Sequence, residues 1–250
     1  MLNVAVNLLW LAPGRVGGSE EYLVRQLAAV AGDAEADVAL TLYAQPGFAA
    51  AHPDLAERTA VVPGPVRRDV RPLRIAAEHT WLARRSRGAD VVHHGGGTVP
   101  GGGNPRAVLT VHDLQYLTYP QFFSRTRLTY LRRMMPASAR RATVIATPSD
   151  FVRGTVIDAF DRDPATVITA THPVPDATPP SAETIAGVLA RYGVRRPYVV
   201  YPAITHPHKG HWSLVEMLRA AGAPGHPAGD VQLVLLGGAG AHEAVVQTSL

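Results

Sequence analysis

Short apolar runs that alternate with longer segments of helical periodicity constrain the fold of this chain more than any other feature. The runs predict strands at Asn3–Leu9, Val38–Tyr43, Thr59–Val62, Asp90–His93, Val108–Val111, Val144–Thr147 and Val167–Thr169. Apolar residues recur at helical spacing in Ser19–Ala31, Pro72–Arg85, Phe123–Arg141 and Ser149–Phe160. Strands that alternate with helices are typical of a doubly wound parallel sheet, so we predict an α/β fold.

Two of these helices carry further local signals. Ser19 and Ser149 are each placed to cap a helix, because a serine hydroxyl accepts a backbone N–H bond there. The predicted inner face of the first helix consists of Tyr22, Leu23, Leu27 and Val30. The predicted apolar face of Phe123–Arg141 consists of Leu128, Leu131 and Met135, with a kink expected at Pro136.

A proline-rich segment, Thr171–Pro180, separates this series from a second one. The second series is predicted as helix Ala182–Tyr192, strand Tyr198–Tyr201, helix Trp212–Ala220, strand Gln232–Leu236 and a helix opened by Gly237-Gly238. We therefore predict an N-terminal domain over residues 1–172, a connection over 173–194 and a second domain over 195–250. Two strands are few for a Rossmann-like domain of ~100–150 residues, so we expect the second domain to be incomplete.

Composition excludes several classes of protein. The 250 residues contain no cysteine, which excludes disulfides and cysteine-based zinc sites. No apolar stretch reaches the ~18 residues expected of a membrane span. The start of the chain, Met1–Pro13, is apolar but lacks the basic region of a signal peptide. We expect a cytoplasmic protein.

Ligands of doubly wound sheets bind beyond the carboxyl ends of the strands, so the loops that follow strands are the informative ones. Here these are Pro13–Gly18, His93–Gly103 and His112–Pro120. In the first, Gly17 and Gly18 allow a ligand to approach the backbone at the start of a helix. The segment matches neither the dinucleotide fingerprint nor a Walker A sequence, and a plain tight turn is the alternative.

Histidines follow two of the predicted strands. His112 ends one of them, and a histidine there can donate or accept a proton near neutral pH. Asp113 beside it is placed to orient the ring or to bind a hydroxyl, and a structural role is the alternative for both. His93 and His94 are a weaker case. Their spacing supplies no third metal ligand, so we expect no metal. The glycine-rich loop that follows, Gly95–Gly103, either wraps a sugar or phosphate or is an ordinary surface loop.

The run from His206 to Gly210 follows the apolar strand Tyr198–Tyr201 and precedes a predicted helix. Lys209 therefore lies where free N–H groups and the positive end of the helix dipole favour an anion. A lysine adds a mobile point charge suited to phosphate. We expect a phosphorylated ligand at this position.

The helix Phe123–Arg141 is basic. The formal charge of the chain is only +4, but this helix carries Arg125, Arg127, Arg132, Arg133, Arg140 and Arg141. A solvated basic face is one interpretation. The other is attraction to anionic lipid or to an anionic acceptor, at roughly 1 kcal/mol per basic residue near a charged surface. Nucleic acid is not expected, because neither interleaved aromatic residues nor a binding motif is present.

These short motifs together form an ordered set. In chain order they are Gly17-Gly18-Ser19-Glu20, Val111-His112-Asp113-Leu114, Thr147-Pro148-Ser149-Asp150-Phe151, Tyr201-Pro202-Ala203 with Pro207-His208-Lys209, and Val234-Leu235-Leu236-Gly237-Gly238. The set resembles glycosyltransferase family 4 (GT4), a family of retaining enzymes, over nearly the whole chain. The resemblance implies a GT-B fold, in which two Rossmann-like domains flank a cleft, and catalysis without a metal. It makes residues 1–172 the acceptor-side domain and residues 195–250 the start of the donor domain.

The resemblance also implies roles for individual residues. It places His112 and Asp113 at the catalytic centre, with His112 facing the transferred sugar. It implies donor binding by Gly17, Gly18, Lys209, His208, Gly237 and Gly238, and acceptor-side positions for Ser19, Glu20 and Ser149. The chain departs from the family pattern in two places. Pro202-Ala203 stands where many relatives carry an arginine, so one phosphate contact is either missing or supplied by His206, His208 or another residue. The E-x7-E segment of the donor site does not occur before Leu250.

The implied function is transfer of a hexosyl group, with retention, from a nucleotide-diphosphate sugar to an acceptor hydroxyl. The implied setting is cell-envelope or exopolysaccharide synthesis, with the nucleotide sugar as co-substrate and no other cofactor. The expected partners are the nucleotide sugar, an acceptor sugar or lipid-linked acceptor, and an anionic inner-membrane face touched by Arg125–Arg141. A non-catalytic module that binds the acceptor or a lipid surface, and a GT-B nucleotide-sugar epimerase, are the alternatives.

Overall fold

The structure, a computed structural model, describes residues 1–14, 17–66, 70–174, 178–222 and 230–249. The chain forms two compact units, Met1–Val174 (unit 1) and Pro175–Leu250 (unit 2). Parts of the predicted loop Pro13–Gly18 and of the predicted connection 173–194 lie outside the described residues. The assignment of 1–172 and 195–250 to an acceptor-side and a donor domain stays a prediction. In the described parts of the chain, no helix is long and apolar enough to cross a membrane.

Unit 1 is built on a seven-stranded parallel sheet. Its strands are β1 (Leu2–Leu8), β2 (Val38–Ala44), β3 (Ala60–Pro63), β4 (Val91–His94), β5 (Ala107–Thr110), β6 (Val144–Thr147) and β7 (Val167–Thr169). Their order is β3-β2-β1-β4-β5-β6-β7. The chain first builds outward from β1 to β3 and then returns to β4 on the other side of β1. The predicted doubly wound parallel sheet is confirmed, and its order reverses between β1 and β4.

Helices connect these strands. They are α1 (Gly18–Gly32), α2 (Phe48–Ala51), α3 (Pro53–Arg58), α4 (Arg71–Ala77), α5 (Ala83–Arg85), α6 (Gln115–Thr118), α7 (Arg125–Arg141) and α8 (Asp150–Phe160). A π-helical turn, Glu78–Leu82, joins α4 to α5, so the single helix predicted at Pro72–Arg85 is one interrupted element. The helices α2, α3 and α6 were not predicted, because segments this short show no helical period.

The core of unit 1 follows the predicted apolar faces. Around α7, the buried Met135 packs with the strand residues Leu109 and Ile145, and the half-buried Leu128 and Leu131 lie against the same cluster. Burial of a leucine or isoleucine side chain contributes roughly 1.5–3 kcal/mol. The predicted apolar face of α7 is therefore confirmed.

The predictions for the two serine caps differ in outcome. Ser149 caps α8, because its hydroxyl accepts the Val152 N–H at 3.3 Å. Ser19 does not cap α1. The helix begins one residue earlier, and its N-cap is Gly17, whose positive φ of 71° suits glycine. The predicted inner position of Val30 is also wrong, because its side chain is 39% exposed.

Unit 2 contains a two-stranded parallel sheet in its described residues. The elements are α9 (Ala182–Arg191), β8 (Tyr198–Pro202), a 3₁₀ turn at Pro207–Lys209, α10 (His211–Ala221), β9 (Gln232–Leu236) and α11 (Glu243–Ser249). The helix predicted to open at Gly237-Gly238 begins only at Glu243. The intervening residues instead bond to the loop after β8, where the Gly240 N–H donates to the Thr205 hydroxyl at 2.7 Å.

The loop that starts at Gly237 lies directly on the loop that follows β8. A methyl group at Gly237 would lie 2.2 Å from the carbonyl oxygen of Ala203, a contact with rigid backbone. At Gly238 the same added atom would meet nothing within 4 Å. Only the first of these two adjacent glycines is therefore required by packing.

We expect Gly237→Ala to destabilise unit 2 by about 1–3 kcal/mol, because the added methyl group forces the two loops apart. Gly238→Ala is the matched control and should leave stability within about 0.5 kcal/mol of the parent. Amide hydrogen exchange of β8 and β9 measures both. Equal protection in the two variants would show that the loops do not pack as described.

Candidate functional site

A cavity of about 570 Å³ in unit 1 lies where three neighbouring strands end. Trp10 follows β1, Gly96 follows β4 and His112 follows β5, and all three line it. The carboxyl ends of parallel strands meet at one edge of the sheet. The order reversal between β1 and β4 opens a crevice at that edge, which is where ligands bind in open α/β sheets.

The ring of His112 is held in one orientation. Its Nε2 lies 3.1 Å from the carbonyl oxygen of Gly95, and its ring meets that of Tyr22 edge to face at 5.3 Å. A carbonyl only accepts, so Nε2 must carry the proton of the neutral ring. The other ring nitrogen, Nδ1, is then an acceptor, and it has no hydrogen-bond partner among the described residues.

The surroundings of His112 favour its neutral form. Burial lowers the pKa of His112 below its usual range, while the hydrogen bond to Gly95 and the charge of Asp113 act in the opposite direction. A neutral imidazole with a free acceptor nitrogen suits a sugar hydroxyl, which donates to it. His112 is therefore better suited to orient a hydroxyl of a ligand than to bind a charged group of a ligand.

Asp113 shares the wall of the cavity with His112, but its carboxylate has a local partner. Its Oδ1 accepts the N–H of Gln115 at 3.1 Å, at the start of α6. No hydrogen bond joins Asp113 to the His112 ring within the part of the chain that the structure describes. Asp113 therefore stabilises the turn before α6 and does not contact the His112 ring through a hydrogen bond, while its place at the catalytic centre stays a prediction.

A buried polar network adjoins the cavity. Arg74, which lines the cavity, pairs with the buried carboxylate of Glu78 at 3.7 Å. Asn7 Nδ2 donates to His94 Nδ1 at 3.3 Å. Burial raises the pKa of Glu78, although the Arg74 charge and a hydrogen bond from Asn7 act in the opposite direction. The network links the end of β1 to α4 and β4. The ion pair with Glu78 fixes the position of the Arg74 side chain at the cavity wall.

Two further histidines, the half-buried His93 and the buried His94, have pKa values well below 7. Burial, with a smaller effect of His112, lowers the pKa of His93 to about 4. Burial and the charge of His93 lower the pKa of His94 to about 3. A hydrogen bond of 2.7 Å joins His93 Nε2 to the Thr110 hydroxyl. Both rings are therefore neutral at pH 7, and each has a hydrogen-bond partner on a neighbouring strand. Among the described residues no group of three or more acidic, histidine or cysteine side chains is placed to hold a metal.

The residues predicted at the first helix lie in two different settings. Ser19 lines the cavity. Glu20 is buried, and its carboxylate accepts the Gly14 N–H at 2.9 Å and contacts His52 Nε2 at 2.9 Å. The carboxylate thus closes the loop before α1, while its acceptor-side role stays a prediction.

Ser149 follows β6 and lies outside the cavity lining, where its hydroxyl is used in the cap of α8. Its acceptor-side role likewise stays a prediction. Three cavity residues carried no signal in the sequence: Trp10, Arg71 and Arg74. Arg71 and Arg74 are spaced as helical neighbours on α4, but nothing in that segment indicated which side of the helix would face a ligand.

The candidate residues of unit 2 meet at one edge of its sheet. Lys209, the only lysine in the sequence, is exposed at the end of the 3₁₀ turn after β8. Tyr201 donates its hydroxyl to the Lys209 carbonyl at 2.5 Å, and the following Gly210, at a φ of 68°, leads into α10. The ring of His208 stacks on that of His206 at 5.7 Å.

Gly237 and Gly238 follow β9, which runs parallel to β8, so they lie at the same sheet edge as the Lys209 turn. The Gly238 carbonyl accepts the Thr205 N–H at 3.4 Å. The predicted position of Lys209 between a strand and a helix start is confirmed. Its role, and those of His208 and the two glycines, stay predictions.

The chain belongs to Glycosyltransferase Family 4, whose family model matches residues 16–175. This confirms the resemblance drawn from the motifs. The chain is also 28% identical over 152 residues to the O-antigen chain mannosyltransferase B of Escherichia coli, a match that covers 58% of this chain and 40% of that protein.

Solved structures show the same fold. Anabaena Alr3699/HepE in complex with UDP and glucose aligns with a TM-score of 0.65 at 16% identity, over 100% of this chain and 65% of that one. A glycosyltransferase from Rickettsia africae ESF-5 aligns with a TM-score of 0.56 at 13% identity, over 98% and 70%. The predicted GT-B type of fold is confirmed. The chain spans about 40% of the curated relative and about 65% of the Anabaena protein.

We expect the stability of unit 1 to fall on acidification from pH 7.5 to 5.5. The folded pKa values of His93 and His94, about 4 and about 3, lie below the unfolded value of 6.5, so the unfolded state binds more protons in this range. Together they should cost about 2–3 kcal/mol, at 1.36 kcal/mol per pKa unit. Urea unfolding at the two pH values measures the loss.

A His93→Gln/His94→Gln variant should lose much less stability over the same range, while His242→Gln in unit 2 should behave like the parent. The comparison stops at pH 5.5 because of Glu78, whose pKa is raised in the folded state. Protonation of Glu78 at lower pH increases the free energy of unfolding and would offset the loss caused by the histidines. An unchanged urea midpoint in the parent would contradict the buried, neutral state of the two histidines.

Proposed function

We propose that this protein transfers a hexosyl group from a nucleotide-diphosphate sugar to an acceptor hydroxyl, with retention and without a metal. The observation that carries the proposal is the cavity at the carboxyl ends of β1, β4 and β5, lined by His112, in a chain whose family assignment covers that unit. The names of the compared proteins support it, since one is a mannosyltransferase of O-antigen chains and another is described with UDP and glucose. We propose cell-envelope or exopolysaccharide synthesis as the setting.

In unit 1, His112 positions a hydroxyl of the sugar or of the acceptor. Its free Nδ1 accepts a hydrogen bond from that hydroxyl, while the bond from Nε2 to Gly95 keeps the ring in place. The low pKa of His112 keeps this acceptor nitrogen unprotonated at neutral pH. The side chain therefore orients a neutral substrate group and does not act as a lone base.

In unit 2, Lys209 and the free N–H groups at the start of α10 bind the diphosphate of the donor. Negative charge grows on the departing diphosphate in the transition state, so fixed positive groups stabilise that state more than the ground state. One charge-assisted contact contributes roughly 1.5–3 kcal/mol. The space beside Gly238 is open, since a Cβ atom added there would lie more than 4 Å from any neighbouring atom. A phosphate can therefore approach the backbone at this position.

A peripheral membrane contact is part of the same proposal. The exposed residues Leu117, Tyr119 and Phe122 precede α7, whose exposed face carries Arg125 and Arg133. Aromatic and basic side chains together are typical of surfaces that lie at the headgroup level of an anionic bilayer. Co-sedimentation with anionic vesicles, absent with neutral ones, tests this contact.

We expect Lys209→Ala to weaken binding of UDP or GDP by about 10- to 100-fold, because one charge-assisted contact to the diphosphate is lost. Isothermal titration calorimetry gives the affinity, and release of nucleoside diphosphate from UDP- and GDP-sugars gives the rate. Since Lys209 is the only lysine, ¹³C reductive methylation labels its side chain selectively beside the N-terminus. The labelled methyl signal should shift when the nucleotide is added.

Arg195→Ala is the matched control for this prediction. Arg195 precedes β8 and so lies toward the amino end of the strand that Lys209 follows. Its loss should leave nucleotide affinity unchanged, and Lys209→Arg should retain part of it. Wild-type affinity in Lys209→Ala, together with no turnover of any nucleotide sugar, would refute the proposed function.

A further inference from the structure

The cavity of unit 1 carries positive charge that no ion pair among the described residues neutralises. We propose that Arg71 and Arg127 recognise a phosphate group on the acceptor. This inference rests on the proposed transfer function and names the substrate class of the same site, a hydroxyl-bearing acceptor with a phosphate ester or diphosphate. It distinguishes Arg127 from the other arginines of α7, which do not line the cavity.

The two arginines reach the cavity from separate helices. Arg71 begins α4 and Arg127 lies in the first turn of α7, and both line the cavity beside His112. The guanidinium carbon of Arg127 lies 5.0 Å from the centre of the Phe123 ring, which also lines the cavity. A guanidinium stacked on an aromatic face loses little further freedom when it binds an anion.

The two guanidinium groups are close enough to repel each other. Partial burial lowers the pKa of Arg127, the charge of Arg71 lowers it further, and the charge of Asp113 raises it. Neither arginine forms an ion pair within the described part of the chain, whereas the third cavity arginine, Arg74, is paired with Glu78 at 3.7 Å. Among the described lining residues, two unpaired cations therefore face one exposed carboxylate, Asp113, and their sum is a net positive charge.

This arrangement matches a phosphate better than a neutral sugar. A phosphate offers several acceptor oxygens, so it can bridge two guanidinium groups and remove their mutual repulsion. The cavity volume of about 570 Å³ lies within the range of roughly 300–1,000 Å³ typical of small-molecule sites. His112 lines the same cavity and is placed to accept a bond from a hydroxyl of the same molecule.

The test compares a hexose 1-phosphate with the free hexose, titrated calorimetrically into the intact chain at low salt. We expect saturable binding of the phosphate and at least about tenfold weaker binding of the free hexose. Arg71→Gln and Arg127→Gln should each weaken phosphate binding by about 10- to 100-fold. Arg133→Gln, on the same helix but outside the cavity, is the matched control and should have no effect.

A competition arm distinguishes the two sources of the phosphate. If vesicles of phosphatidylglycerol displace the hexose phosphate and vesicles of phosphatidylcholine do not, the group belongs to a lipid headgroup. If neither displaces it, the acceptor is a soluble phosphate ester. Both results support the inference. Equal affinity for the two hexoses, or equal binding by the Arg71→Gln, Arg127→Gln and Arg133→Gln variants, would overturn it.

Binding of the hexose phosphate at Arg71 and Arg127 can be tested separately from binding of the nucleotide sugar at Lys209. Arg195→Ala should leave binding of the hexose phosphate unchanged, because Arg195 belongs to unit 2 and lies outside both proposed phosphate sites. If Arg127→Gln fails to fold, the exposed Arg71 decides the question alone, since its replacement disturbs no hydrogen bond of the described residues. Wild-type nucleotide affinity in Lys209→Ala, beside hexose phosphate binding that is lost in Arg71→Gln, would count against the proposed function and leave this inference standing.

Discussion

The reversal of strand order between β1 and β4 is the constraint on which the rest of unit 1 depends. All seven strands are parallel, so the loops that can approach a ligand leave the sheet at one edge. At the reversal, the chain leaves β1 and β4 in opposite lateral directions, and a crevice opens between their following loops. Trp10, Gly96 and His112 line that crevice because of where their strands end.

The net charge of the crevice depends on the histidines and the buried Glu78 beneath it and on the arginines of the helices that cover it. Burial keeps His93, His94 and His112 neutral, and the buried Glu78 is paired with Arg74. This side of the site therefore contributes little net charge, whereas Arg71 and Arg127 on the covering helices have no ion-pair partner among the described residues. Positive charge that these residues leave unbalanced attracts a complementary ligand, which is the physical basis for the proposed anionic acceptor.

Much of this could be predicted from the sequence, because strands and long helices have strong periods. The parallel sheet and the position of His112 at a strand end follow from local pattern alone. The partners of His112 and the approach of Arg71 could not be predicted, since they depend on how distant segments pack. Local pattern also failed at Ser19, which was predicted to cap the first helix. Gly17 is the N-cap instead, because its backbone adopts a positive φ there. Short helices such as α6 left no period to detect.

The most direct test of this account is the ¹⁵N NMR spectrum of the His112 imidazole at pH 7, recorded without and with acceptor and nucleotide sugar. The account predicts a neutral ring protonated on Nε2, since the Gly95 carbonyl accepts from that nitrogen at 3.1 Å. It also predicts an upfield shift of the Nδ1 resonance when a hydroxyl donates to it. An imidazolium spectrum, or an Nδ1 resonance that does not move at saturating substrate, would contradict it.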